Sequence, residues 1–142
     1  MGNVKKQYEV VAGILIYEHR ILCVQRGPGK YEYTSLKFEF PGGKVEYGES
    51  KTEALVRELS EELHIRVEEK KLRHFMSNYH SYPDFDLTMH SFICPLEDHS
   101  FHLEEHISYH WMDKEQLLSL DWAAADIPVV ANLLEVHVDE LA

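Results

Sequence analysis

Leu55, Leu59 and Leu63 recur at four-residue spacing between Lys51 and Leu63. That stripe predicts an amphipathic helix, which must lay its apolar side on a sheet or another helix. Ser50 lies three residues ahead of Glu53, the pattern of a capping box, and sets the start. On the same helix Glu58, Glu61 and Glu62 stand at i, i+3 and i+4, so they share a face beside the leucines. Crowded carboxylates repel, and no helix gains stability from them alone. Such a face is either simply solvated, as charge runs commonly are, or offset by a cation. Hard oxygen donors on one face suit Mg²⁺ or Mn²⁺, which keep waters and take further ligands from phosphates. Arg57 can reach Glu53 or Glu61 along the helix, or fold back to Glu49.

The flanking segments read as strands. Tyr8–Tyr17 and Ile21–Gln25 form a hairpin about Glu18-His19-Arg20. Gly27-Pro28-Gly29-Lys30 opens a polar loop, and Phe38–Phe40 is a short strand stopped by Pro41-Gly42-Gly43. After the helix, Leu72–Tyr79 and Phe85–Cys94 are strands around Tyr82-Pro83-Asp84, and His106–Trp111 is another. Asp113–Leu120 predicts a short helix, and Asp126 starts a last one running to about Val138. Strands at both ends with helices between them predict an α/β (α+β) fold, a mixed β-sheet sandwiched between helices. Neither repeat nor linker divides the 142 residues, so residues 1–142 are expected to form one domain.

Charge narrows the function. With 14 basic against 25 acidic residues, the net charge of -11 excludes a protein that grips a nucleic-acid backbone. It would also repel a polyphosphate, so an acidic enzyme acting on phosphates needs a metal cation as mediator. Apolar runs such as Val10–Ile16 are too short for a bilayer, and no signal core follows the N-terminus. Gly2 with Lys6 in place of Ser or Thr does not make a myristoylation site. Cys23 and Cys94 sit in strand-like apolar contexts, which predicts buried free thiols in a reducing cytoplasm.

Gly43, five residues, Glu49, seven residues, then Arg57-Glu58-Leu59-Ser60-Glu61-Glu62-Leu63-His64-Ile65 resembles the Nudix box, matching eight of its nine specified positions. His64 departs, standing where the family has Gly. That Gly is expected to end the helix in a left-handed conformation, where a Cβ costs about 1 kcal/mol. The departure bears on helix-end geometry and leaves the chemistry alone.

The resemblance implies a hydrolase of nucleoside diphosphate compounds. It implies Glu58, Glu61, Glu62 and the Gly42 carbonyl as metal ligands, with Glu49 and Arg57 orienting them. It offers Glu61, Glu62 or Glu105 as the base that deprotonates water; Glu105 is otherwise a solvated loop carboxylate. Phe38-Glu39-Phe40-Pro41-Gly42-Gly43-Lys44 is similar to the entry to the box in MutT-type nucleoside triphosphate pyrophosphohydrolases. In those proteins the polar residue opening the final helix reads the base, which points to Asp126. An ionised Asp accepts from amino donors such as cytosine N4 or guanine N1 and N2; the alternative is a plain N-cap before Pro128. Phe40, Tyr82 and Leu87 are candidates to sandwich the base or to be core. Arg26 and Lys44 are candidates for the phosphates, Arg26 otherwise being a surface ion pair.

The resemblance implies hydrolysis of an oxidised purine such as 8-oxo-dGTP, or of a cytidine-type triphosphate. ADP-ribose or a nucleotide sugar is the alternative, and a non-catalytic nucleotide sensor a third, disfavoured by the complete glutamate set. The expected partners are a small nucleotide and, at most, a second copy in a homodimer. His99, His102, His106 and His110 carry zinc-like spacings but lie in a loop and strand without Cys, so they predict no zinc site. Tyr31, Tyr33, Tyr79 and Tyr82 are candidates to stack on a base but read rather as scattered interface or core residues, and Gly27–Lys30 as a turn without P-loop spacing.

Overall fold

Both faces of the first strand are covered, and the rest of the architecture follows from that. In the computed structural model, which describes residues 5–137, the strands are β1 (Lys6–Tyr17), β2 (Arg20–Gln25), β3 (Phe38–Glu39), β4 (Gly42–Lys44), β5 (Arg73–Ser81), β6 (Phe85–Pro95) and β7 (Ser108–Met112). They make one sheet in the order β3-β2-β1-β6-β5, with β4 added to β1 and β7 to β2. β1 and β6 run parallel, from Lys6 opposite Phe85 to Ile16 opposite Pro95. The other strand pairs are antiparallel, so the sheet is mixed as expected.

Alternate residues of β1 serve opposite layers. Val11 and Leu15 join Leu22, Val24 and Phe92 on one side, against Ala54, Leu55, Leu59 and Leu63 of helix α1 (Lys51–Leu63). Ile14 and Ile16 join Ile21, Met89 and Ile93 on the other, against Leu117 and against Val129, Val130 and Leu133 of α2 (Ile127–Leu133). The predicted leucine stripe is wholly buried. Each such leucine contributes about 1.5–3 kcal/mol.

Several boundaries differ from the sequence reading. β3 stops ahead of Pro41-Gly42-Gly43 as expected, but the Gly42-Gly43 pair then begins β4, which pairs with Val10, Val11 and Ala12. A Cβ on Gly42 would lie 1.9 Å from the Val11 carbonyl oxygen, so glycine permits the close approach. The expected helix at Asp113–Leu120 is a 3-10 turn, Lys114–Ser119, held by an Asp113/Gln116 capping box. The last helix is preceded by a 3-10 turn, Ala124–Asp126, and its α-helical part ends at Leu133; Val138 lies outside the described residues. β7 begins at Ser108, which leaves His106 in the preceding loop. Cys23 and Cys94 are buried and free, and burial pushes the Cys94 thiol up to about 12. Among the described residues no helix is long and apolar enough to cross a membrane.

Candidate active site

The helix carrying the glutamates is fixed at both ends. Ser50 Oγ accepts from the Glu53 amide at 3.1 Å and Glu53 Oε1 accepts from the Ser50 amide at 2.9 Å, completing the capping box. At the other end His64 adopts φ 56 and ψ 30, the left-handed conformation expected where the box has Gly. The last turn is closed by the Ile65 amide donating to the Leu59 carbonyl at 3.1 Å.

Arg57 gathers the carboxylates. Its Nε donates to Glu49 Oε2 at 2.7 Å and its Nη2 to Glu49 Oε1 at 3.0 Å, a bidentate pair. Nη1 reaches Glu58 at 2.9 Å and Glu61 at 3.1 Å, and Nη2 also donates to the Lys44 carbonyl at 3.0 Å. Glu53, an alternative partner in the sequence, is taken by the cap. The Arg57 bond holds the Glu49 carboxyl below the usual carboxylate range.

Glu58 and Glu62 turn inward, whereas Glu61 stays at the rim with its side chain 62% exposed. Glu58 has room because Gly43 lacks a side chain: a Cβ there would lie 2.5 Å from the Glu58 carboxyl carbon. Glu62 Oε2 is buried without a hydrogen-bond partner. Burial, then the Glu58 charge and its hydrogen bond, then Glu105 and Glu39, push the Glu62 carboxyl up to about 9. No three His, Cys, Asp or Glu side chains among the described residues already converge as a metal-holding set. Arg57 instead occupies oxygens of Glu58 and Glu61. The donors still fit a hard divalent cation: all are oxygens, they repel one another, and one buried oxygen has no partner.

These carboxylates open into a cavity of about 840 Å³ that also reaches Phe40, Tyr82, Leu87 and Asp126. Asp126 is 5% exposed, and its side chain makes no N-cap bond. Its Oδ2 accepts from the Phe40 amide at 3.0 Å. Burial, reinforced by the Glu39 charge, raises the Asp126 carboxyl well above its usual range. That shift works against the ionised acceptor expected from the sequence, while the bond from the Phe40 amide works toward it. Tyr82 is 4% exposed and its hydroxyl accepts from the Ala125 amide at 3.0 Å. Phe40 packs on Trp122 with ring centres 4.7 Å apart. Phe40 and Tyr82 are therefore core residues that also line the cavity.

Tyr31, Tyr33 and Tyr82 are not scattered. Tyr31 stacks on Tyr33 at 5.2 Å and Tyr33 on Tyr82 at 5.0 Å. The stack ties the loop after β2 to the β5–β6 turn, where the Tyr33 hydroxyl donates to Asp84 at 2.7 Å. Tyr79 stays apart and exposed. Lys44 reaches the cavity with its Nζ 4.1 Å from the Tyr8 ring centre. Arg26 is in an ion pair, 3.2 Å from Glu39 Oε1, and both residues line the cavity wall. Glu105 lies there too, near enough to act on Glu62.

Two residues escaped the sequence reading. Glu39 bridges Arg26 and His106, accepting from His106 Nε2 at 2.9 Å, and its charge acts on both Glu62 and Asp126. The available signal was a lone acid between Phe38 and Phe40 in a short apolar strand. His106 has a side chain only 5% exposed and follows Glu105 directly. The remaining histidines of the zinc-like run separate: His99 stacks on Tyr17 at 5.2 Å, His102 meets the His64 ring at 5.4 Å, and His110 packs on Phe38 at 5.5 Å.

Comparison with known proteins places this geometry among relatives. A NUDIX domain pattern matches residues 7–133. The CTP pyrophosphohydrolase of Escherichia coli (strain K12) is 36% identical over 93% of this chain and 95% of its own. The 8-oxo-dGTP diphosphatase of the same organism is 30% identical over 90% of this chain and 97% of its own. The solution structure of the E. coli ORF135 protein superposes with a TM-score of 0.78 at 32% identity, covering 94% of each chain.

Proposed function

The chain belongs to the Nudix family, and from that premise we propose that it hydrolyses a nucleoside triphosphate to the monophosphate and pyrophosphate, in Mg²⁺ or with Mn²⁺ substituting. The substrate class is an oxidised purine such as 8-oxo-dGTP or a cytidine-type triphosphate, in keeping with the activities for which its relatives are named. The biological role is sanitation or balancing of the nucleotide pool. One observation carries this reading: a single cavity joins a cluster of inward carboxylates to an apolar pocket holding a buried Asp.

Glu58, Glu61 and Glu62, with the Gly42 carbonyl, would hold the divalent ion. Glu61 first gives up its bond to Arg57, which is at the exposed rim and costs little. Bound there, a divalent cation neutralises phosphate charge and acidifies water. Glu49 keeps Arg57 fixed while the other carboxylates change partners. Glu105 takes the proton from the attacking water, because it lies in the cavity wall, whereas Glu61 is bound by Arg57. Lys44 and Arg26 approach the phosphates. Phe40, Tyr82 and Leu87 flank the base, and Asp126 hydrogen-bonds its edge. The protein acts as one Nudix domain in the cytoplasm, as a monomer or homodimer, on a small nucleotide and not on nucleic acid.

The test is a product analysis with Mg²⁺ over normal and oxidised (deoxy)nucleoside triphosphates, cytidine triphosphates and ADP-ribose. Monophosphate plus pyrophosphate from one triphosphate, lost in Glu62→Gln with the fold retained, is the expected result. AMP from ADP-ribose with inert triphosphates would move the enzyme to nucleotide-sugar chemistry. Binding without turnover on every compound would make the protein a sensor.

A further inference from the structure

The segment between β6 and β7 has no regular structure where Glu105 lies, yet it is tied down at several points. Its amides meet the acceptors that a helix end leaves open: His102 N–H donates to the Leu63 carbonyl at 2.9 Å and Glu104 N–H to the Glu62 carbonyl at 3.1 Å. Ile107 N–H donates to the Gln25 carbonyl at 3.0 Å, joining the far end of the loop to β2. Two side-chain pairs then bracket Glu105. Before it, Glu104 Oε1 lies 2.7 Å from His64 Nε2. After it, His106 Nε2 lies 2.9 Å from Glu39 Oε2, and Glu39 Oε1 is held in turn by Arg26 at 3.2 Å.

We propose that His64 and His106 are positioning residues that clamp the Glu105 loop over the acidic end of the cavity, His64 through Glu104 and His106 through Glu39. The inference rests on the reading of Glu105 as the proton acceptor. It accounts for the one departure from the box. A histidine in the left-handed conformation costs about 1 kcal/mol against glycine. In exchange it supplies a side chain that reaches the loop, which glycine cannot do. His106 suits the opposite side because its side chain is buried and the carboxylate it grips is itself held by Arg26. Its Nε2 faces the Glu39 carboxylate, which can only accept, so Nε2 is the donor of that bond, and Nδ1 is buried without a partner. The bond is thus a charge-assisted donation to a carboxylate, the stronger kind. A proton acceptor displaced by about 1 Å can lose on the order of 10²-fold in rate, which is why a loop-borne base gains from two clamps.

The experiment combines loop mobility with kinetics on the best triphosphate in Mg²⁺. In His64→Gly the unfolding temperature is expected to hold or rise, because strain is relieved, while amide exchange at His102 and Glu104 speeds up. kcat is expected to fall about tenfold with KM within about twofold. His106→Ala should behave likewise in kcat, and His106→Gln, which keeps a donor at the Nε2 position, should recover most of it. His64→Gly added to Glu105→Gln should cost nothing further, since the clamp works only through Glu105. Unchanged amide exchange in His64→Gly, or unchanged kcat in both His64→Gly and His106→Ala beside a crippled Glu105→Gln, would overturn the clamp. Full activity in Glu105→Gln would remove its premise while leaving triphosphate hydrolysis standing. Absence of triphosphate turnover in the unaltered protein would instead sink the functional reading, and the exchange measurement would still decide whether the loop is clamped.

Discussion

Gly43 and Gly42 are neighbours with different duties. At Gly43 the missing side chain is filled by the Glu58 carboxyl, 2.5 Å from where a Cβ would stand. Gly43→Ala should therefore move a flexible carboxylate and spare the backbone. Activity is expected to drop about 10²-fold while the denaturant midpoint changes little. At Gly42 the obstacle is the Val11 carbonyl at 1.9 Å, which is backbone and cannot step aside. Gly42→Ala should lose about 1–3 kcal/mol of stability, read from the same denaturant curves. Residues adjacent along the chain were the legible ones: Arg57, Glu58, Glu61 and Glu62 announce themselves by spacing. Glu39 and His106 did not, because their contact spans 67 positions and neither has a local pattern to betray it. Asp126 was legible as a polar residue opening the last helix but its burial was not, because that depends on segments far away in sequence.

At the level of elements, α1 was written plainly: a stripe of leucines, a capping box and a left-handed end require only local information. Ser50→Ala should cost about 1 kcal/mol through the lost cap. Because Arg57 and Glu49 hold the glutamates independently of Ser50, kcat should persist; thermal unfolding and steady-state kinetics together check this. β4 was hidden for the opposite reason. Pro-Gly-Gly carries turn chemistry, and only the close passage of β1 makes it a strand. The tyrosine stack was hidden likewise, since the loop after β2 and the β5–β6 turn meet only in the folded chain.

For the molecule as a whole, two aspartates set opposite limits on stability. Asp86 is bound by Lys5 at 2.8 Å, Ser81 at 2.6 Å and Gln7 at 2.7 Å, and these contacts hold its carboxyl far below the usual range. Its contribution is complete above the ordinary carboxylate pKa of about 4 and disappears as pH falls toward the lowered folded value. Asp126 has the opposite sign. Its raised pKa means the folded protein keeps a proton that the unfolded chain releases, so stability declines as pH rises above about 4. Denaturant midpoints across pH should show Asp86→Asn flattening the acidic limb and Asp126→Asn flattening the rise side. Midpoints that follow the unaltered protein in both variants would show that other groups set the profile.

The parallel union of β1 with β6 also dictates when the protein can exist during its own synthesis. Residues near the start of the chain must wait for partners from Phe85 to Pro95 before the central ladder can close. Until then β1 has only its hairpin with β2 and a contact with β4, and the helix leucines have half a surface to rest on. A nascent chain halted before Phe85 should remain without a cooperative unfolding transition. The emerging polypeptide therefore passes through a long interval of exposed apolar strand, the period in which holding chaperones would find it.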